Sequence, residues 1–378
     1  MEDDTQDLDA LSHRQDSVHW PGTLPTTLGI NTIKEVLDHK AVKNILRVEK
    51  ISTFLDIDAY KNRLNKIWQY NHTSTAQGLL TSIILDIATI SVTLDQISGE
   101  DERTARDILC RYLQTYGHIM RDQGQYTEAI IALEEAVSIA ECVSNNQLLA
   151  VTLLRLGNIH HDRGDIALAQ SKIDTTDVNM QRTSANADFQ AAIKHFGRIR
   201  TMKNISPEMS IALLMGEGNT QARTAHGKKD AILAALTLLN EAEKFITDNY
   251  LQDSSGDEYS VFANSIDVAK RQLQISKASA LLAADWPREA LQELTEMLGL
   301  PPQGNMTRMN AYTNFLWAQG YADTGKLEGA ALLAQDTLVV MKRIKSEVNI
   351  ARIRRLYRQL INADSRQIEV IRLGVMLG

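Results

Sequence analysis

The stretch RYLQTYGHIMRDQGQYTEAIIALEEAV, residues 111–137, is followed at an interval of 40 residues by VTLLRLGNIHHDRGDIALAQ, residues 151–170. The two share one pattern. Leu113, Tyr116, Gly117, Met120, Gly124, Tyr126, Ala129, Leu133 and Ala136 in the first are answered by Leu153, Leu156, Gly157, His160, Gly164, Ile166 and Ala169 in the second. Apolar residues three and four apart form one face of a helix. A small residue in the middle of a first helix (Gly117, Gly157) and another early in a second (Ala129, Ala169) let two antiparallel helices approach closely. Gly124 and Gly164 fall between them, where tolerance of positive φ suits a tight turn. The spacing therefore predicts helical hairpins that turn at Gly124 and Gly164.

Composition sets the broader class. The chain has 378 residues, 44% hydrophobic and 23% charged, with 6 prolines and 20 glycines, which leaves room for many helices. The most apolar run, Leu79 to Leu94, is interrupted by Thr81, Ser82, Asp86, Thr89, Ser91 and Thr93 and is short for a membrane span. The N-terminus begins MEDDTQDLD, acidic where a secretory signal would be basic and then apolar. Cys110 and Cys142 give no disulfide framework, so a reducing, cytoplasmic setting is expected. A net charge of -7 gives no global reason to expect nucleic acid as a partner, and no membrane is expected either.

Residues 1–30 are acidic and broken by Pro21, Gly22, Pro25 and Gly29, and are expected to form a disordered arm. Asp3, Asp4 and Asp7 spell an acidic motif that holds magnesium elsewhere, but that chemistry needs a rigid helix facing an apolar cavity, so a solvated tail is the reading here. Residues 31–97 read as N-terminal helices and a degenerate first repeat, including an aromatic helix with Tyr60, Trp68 and Tyr70. Residues 98–345 read as repeats, with an insertion near 174–206 that opens on a polar loop at 174–186. Within them, a less regular unit at 207–247 puts Ala222, Ala234 and Leu238 at packing positions, and units at 261–299 and 304–344 follow. Residues 346–378 read as a capping helix and tail, with Arg352, Arg354, Arg355 and Arg358 as a solubilising face.

The repeated pattern resembles the tetratricopeptide repeat in its large, small and aromatic positions. The resemblance implies an all-α fold: a right-handed superhelical solenoid of antiparallel helix pairs. More narrowly, residues 55–360 resemble the C-terminal arrays of bacterial helix-turn-helix regulators and of peptide-sensing regulators of Gram-positive bacteria, in their repeat length, aromatic leading helix and arginine-rich last helix. The front end departs from them, because residues 1–50 are too short and irregular for a helix-turn-helix domain. What the resemblance implies is therefore a sensor half alone, or a freestanding relative.

No phosphate loop, nucleophile elbow, paired-cysteine zinc site or HExxH helix occurs in the sequence, so no catalysis, cofactor or metal is expected. His160, His161, Asp162 and Asp165 are the densest set of potential ligands, but neighbours on a helix point about 100° apart. His160, at a packing position, reads as a core histidine.

The expected function is a non-catalytic scaffold that binds a protein or peptide in the concave groove lined by the first helix of each pair. Carried over from the repeat register, the groove positions are Arg111, Gln114, His118, Arg121 and Asp122, then Val151, Leu154, Asn158, His161 and Asp162. Tyr312, Phe315 and Gln319 extend the set beside Gln272, Ile275 and Ser279. A chaperone-tail clamp is not expected, since Gln114 and His118 stand where it needs Lys and Asn. Two histidines in the patch predict pH-dependent binding between about pH 5 and 8. The alternatives are a sensor of a short peptide or small ligand, an all-helical enzyme without a linear motif, and a nucleic-acid accessory protein acting through the C-terminal arginines. The sequence leaves a homo-oligomer open.

Overall fold

The computed structural model describes Ile33 and residues 56–73, 79–171, 178–225, 227–249, 266–300 and 307–378. The 1–30 arm, the Asp3-Asp4-Asp7 motif and the connection at 253–258 lie outside the described residues. Among the described residues the fold is all-α, with fourteen α-helices and no strand. They are α1 (Ile57–Thr73), α2 (Leu80–Thr93), α3 (Glu100–Asp122), α4 (Tyr126–Val143), α5 (Asn146–Ser171), α6 (Val178–Arg200) and α7 (Pro207–Thr224), then α8 (Lys229–Asn249), α9 (Ile266–Ala283), α10 (Pro287–Met297), α11 (Thr307–Asp323), α12 (Leu327–Arg343), α13 (Glu347–Ala363) and α14 (Ile368–Leu377). No helix among the described residues is long and apolar enough to cross a membrane.

Consecutive helices pack as hairpins, and the hairpins pack side by side. The first members form an inner row in which α3 meets α5, α5 meets α7, α7 meets α9, α9 meets α11 and α11 meets α13. The row does not stay open, because α13 returns to pack on α3. Six inner helices thus form a ring, with α4, α6, α8, α10, α12 and α14 each packed on its own inner partner. Helices α1 and α2 lie against α3, and α1 also touches α11.

Local chemistry explains the hairpins. Gly99, at φ 72°, opens α3, and Glu100, Asp101 and Glu102 occupy its first turn, where the helix dipole favours acids. At the other end Gly124 has φ 75°, and Gln125 N–H reaches back to the Met120 carbonyl at 2.8 Å. The same backward bond recurs from Lys326 to Tyr321 beyond Gly325, and from Trp286 to Leu281 beyond Asp285, the last helix beginning at Pro287. The small residues act as expected at the α3–α4 crossing. A Cβ on Gly117 would lie 3.0 Å from Leu133 Cγ and 3.3 Å from the Ala129 carbonyl oxygen.

The second copy of the pattern folds differently. There is no turn at Gly164, since α5 runs unbroken to Ser171. Gly164 instead makes room for α6: a Cβ there would sit 2.9 Å from the Phe189 ring and 3.1 Å from the Ala185 carbonyl oxygen. Gly157 is likewise covered by the ring of Phe196. The expected insertion at 174–206 is therefore the second helix of this pair, longer and later than the spacing predicted. Its polar text from Val178 is helical because Phe189, Ala192 and Phe196, all fully buried, anchor it on α5.

Two further corrections concern register and the chain end. In α8 the buried positions are Ile232, Ala235, Leu239, Ala242 and Ile246, so that Ala235 and Leu239, one residue on from Ala234 and Leu238, take the packing places. The reason is Gly218, whose missing Cβ leaves space for Leu239 at 2.9 Å and the Ala235 carbonyl oxygen at 3.0 Å. Residues 346–378 form a complete inner and outer pair. Val370 and Leu373 of α14 are fully buried, and Tyr357 of α13 covers Gly374.

Candidate functional site

A cavity of about 360 Å³, open to solvent, lies between α3, α5, α7, α9, α11 and α13. Its wall contains His118, Arg121, Asp122, Asn158, His161, Asp162 and Tyr312 from the positions expected in the sequence, together with Gln272, Ile275 and Ser279. Arg308, Met309, Asn219, Ser276, Val348, Asn349 and Arg352 complete it. The helical period brings them there: Arg308 is four residues before Tyr312, and Val348 four before Arg352, each pair on one face.

A polar network joins the two ends of the inner row across this wall. Arg308 donates to Asp122 Oδ2 from Nη2 at 2.8 Å and from Nε at 3.1 Å. The other oxygen, Asp122 Oδ1, accepts from Ser346 Oγ at 2.6 Å. Asn349 Nδ2 donates to Ser346 Oγ at 2.9 Å, and Arg352 Nη1 donates to Asn349 Oδ1 at 2.7 Å. Arg352 Nη2 then reaches Asp162 Oδ1 at 3.0 Å, while Arg121 binds Asp162 Oδ2. One turn further along α5, Asp165 faces Arg223 at 3.2 Å and Arg355 at 3.8 Å. Burial alone would push both aspartates up. Arg121 and Arg352 outweigh it at Asp162, and Arg223 and Arg355 at Asp165, so both carboxyls are held below the usual carboxylate range.

The solubilising face expected from Arg352, Arg354, Arg355 and Arg358 is thus half right. Arg354 and Arg358 are exposed, but Arg352 and Arg355 turn into the ring because α13 is an inner helix with acids on the facing α5.

The histidines are equally placed by partners. His160 Nδ1 meets Asp188 Oδ1 on α6 at 2.9 Å, and Arg163 shares that carboxylate, as suits a core histidine. His161 turns inward, with Nδ1 2.9 Å from Thr220 Oγ1. The Thr220 hydroxyl proton is engaged by the Gly216 carbonyl at 2.9 Å, so His161 Nδ1 is the donor and Nε2 is left as an acceptor. Burial first, opposed by Asp162 and Asp165, lowers the His161 pKa to about 4. His161 therefore stays neutral between pH 5 and 8, and the expected charge change in that range does not arise from it. His118 lies against the Trp68 ring with centroids 5.7 Å apart, and Arg155 stacks over the same indole at 4.5 Å.

Six expected positions do not reach the cavity. Arg111 pairs with Asp107 on its own helix at 2.6 Å. Gln114 is buried between α3 and α5 and donates to Thr152 Oγ1 at 2.7 Å. Phe315 is core, stacked behind Tyr312 with centroids 6.0 Å apart. Gln319, two turns along α11, bonds Asp323 and Gln359. Val151 and Leu154 are buried as well. The cause is common to all: once the ring closes, inner helices touch on both sides, and only a narrow stripe of each faces the centre.

Tyr312 carries the guanidinium of Arg352 over its ring at 4.8 Å. Around it, Asn158, Gln272, Ser276 and Ser279 have no side-chain hydrogen-bond partner among the described residues, and Asn219 Oδ1 is buried without one. The cavity therefore combines an ion-paired wall, a small apolar patch of Ile275, Met309 and Val348, and unengaged neutral polar groups. No group of three or more metal-binding side chains occurs among the described residues. Compared with protein-family models and with curated proteins, the chain matches none.

Proposed function

We propose that the chain is a non-catalytic binding module of the tetratricopeptide type, a right-handed array whose working surface is the cavity at the centre of the inner helices. The Gly117–Leu133 crossing and the repeated glycine turns support the repeat class. The observation that carries the function is the set of unengaged polar side chains around this cavity. Asn158, Gln272, Ser276 and Ser279 present donors and acceptors with no protein partner among the described residues, which is how a site that fixes a ligand's orientation is lined. With a volume of about 360 Å³, the cavity suits a few residues of a peptide or a ligand of similar size, not an extended helix along the groove. This size also favours the second reading, a sensor of a short peptide or small ligand.

Ser276→Trp tests the reading, since it fills the cavity without breaking a hydrogen bond. Wild type and variant are used to retrieve ligands from source lysate, followed by mass spectrometry and calorimetry on what is found. Loss of binding with unchanged helical content is expected. Full binding by the filled variant moves the site elsewhere.

A further inference from the structure

Charge inside the ring does not balance. The wall itself holds Arg121, Arg308 and Arg352 against Asp122 and Asp162. Directly behind, Asp165 is shared by Arg223 and Arg355, and Arg155 lies between the Trp68 face and the neighbouring Arg111 and Arg121. Arg111 is already matched by Asp107. Among the described residues, the two carboxylates on α5 thus serve four guanidiniums, and Arg155 has an aromatic ring but no acid. His161 adds nothing to the balance, being neutral.

Buried cations that share too few anions are costly, and the cost is offset by an anion brought in from outside. The positions are suited to it. A guanidinium has donors on two edges, and Arg121 uses one edge on Asp162, leaving its capacity for a second acceptor. Ser276 and Ser279 on α9 line the same cavity as the arginines and add neutral donors with no other side-chain partner among the described residues. Burial lowers Arg155 to about 10 and lowers Arg355 as well, with nearby arginines adding to each shift, whereas at Arg121 and Arg352 on the wall burial is outweighed by Asp162 and both are raised.

From this juxtaposition we infer that the ligand seats an anionic group, a carboxylate or phosphate, in the cavity lined by Arg121, Arg308 and Arg352 together with Ser276 and Ser279. The inference rests on the cavity being the binding site. It deepens that reading by naming the charge of what enters: the apolar patch at Ile275, Met309 and Val348 takes the body of the ligand and the arginine wall takes its acid.

The experiment uses the full chain and three variants at one position. Citrate, inorganic phosphate, a tetraglutamate peptide and a tetraglutamine peptide are titrated calorimetrically at constant ionic strength. Ser276→Asp supplies a carboxylate in place, Ser276→Asn is its neutral counterpart, and Ser276→Trp fills the space. The anions are expected to bind wild type, and to bind Ser276→Asp about tenfold or more weakly than Ser276→Asn, since the two differ only in the like charge that now stands in the site. Ser276→Asp is also expected to melt higher than Ser276→Asn in chloride buffer. Tighter binding of citrate or phosphate identifies a free small anion, and tighter binding of tetraglutamate an acidic segment; either supports the inference. Equal binding of tetraglutamine and tetraglutamate overturns it, as does a Ser276→Asp protein that melts lower and binds anions unchanged. A lysate ligand that is lost in Ser276→Trp but does not compete with any anion leaves the cavity as the site and removes the anion. A lysate ligand kept by Ser276→Trp removes both.

Discussion

Arg352 on α13 donates to Asp162 on α5 across 190 positions of sequence, at 3.0 Å, with both side chains largely buried. Together with Arg308 and Asp122, 186 positions apart, this pair holds the last inner helices against the first and turns a row of hairpins into a ring.

Removing the carboxylate should loosen that closure. Asp162→Asn leaves Arg121 and Arg352 facing a neutral amide, and loss of one member of a buried pair costs about 3 to 5 kcal/mol. Urea unfolding should show the loss, and small-angle scattering an expanded particle. A variant as stable and compact as wild type would mean that the pair does not close the ring.

The glycines separate crossing from turn. Gly157→Leu should drive into Phe196, and Gly117→Leu into Leu133, with overpacking of about 1 to 3 kcal/mol each. Gly164→Leu should cost as much, since Phe189 stands where its side chain would go. Gly124→Ala meets no atom within 4 Å and suffers only from its φ of 75°, a penalty of about 1 kcal/mol. Thermal melts of the four proteins check the order; a tolerated Gly164→Leu would restore the turn that the spacing suggested.

Stability should fall as the pH is lowered from about 6.5 to about 4. His161 and His195, both lowered to about 4 chiefly by burial, stay neutral in the fold while the unfolded chain takes up protons from about 6.5 downward. Asp86 acts in the opposite sense: burial, opposed by Arg63, raises it to about 6, so the fold takes up its proton before the unfolded chain does. Glu293, raised by burial, acts in the same sense as Asp86, and the two histidines, each lowered to about 4 across the whole window, still leave a net loss. Asp162 and Asp165, depressed by their arginines, add a further loss only below about pH 4, where the unfolded carboxyls protonate first. Melting temperatures at pH 7.5, 6 and 5 measure this. Asp86→Asn should steepen the decline, and a protein that melts higher at pH 5 than at 7.5 contradicts the assignment.

Deleting residues 364–378 should expose the outer faces of α12 and α13. Val370 and Leu373 are fully buried there, each contributing about 2 kcal/mol, and the α12–α14 contact is lost with them. Aggregation or a lowered melting point is expected by light scattering and calorimetry. A monodisperse, equally stable truncation would show that α14 is dispensable.

The sequence by itself determined the all-α class, the α3–α4 hairpin and its turn at Gly124, because apolar period, small crossing residues and turn glycines are local properties. It also located part of the cavity wall, since His118, Arg121, Asn158 and His161 face inward on helices whose period is readable. It did not determine what Gly164 does, because a glycine at a helix crossing and a glycine at a turn look alike until Phe189 is placed over one of them. Nor did it set the fate of Arg352. An arginine on a terminal helix and an arginine inside a ring have the same local spacing, and only the packing of α13 against α3 brings Asp162 within reach. Ring closure rests on ion pairs between residues nearly two hundred positions apart, and a pattern that repeats every 40 residues carries no information about which of its copies meet.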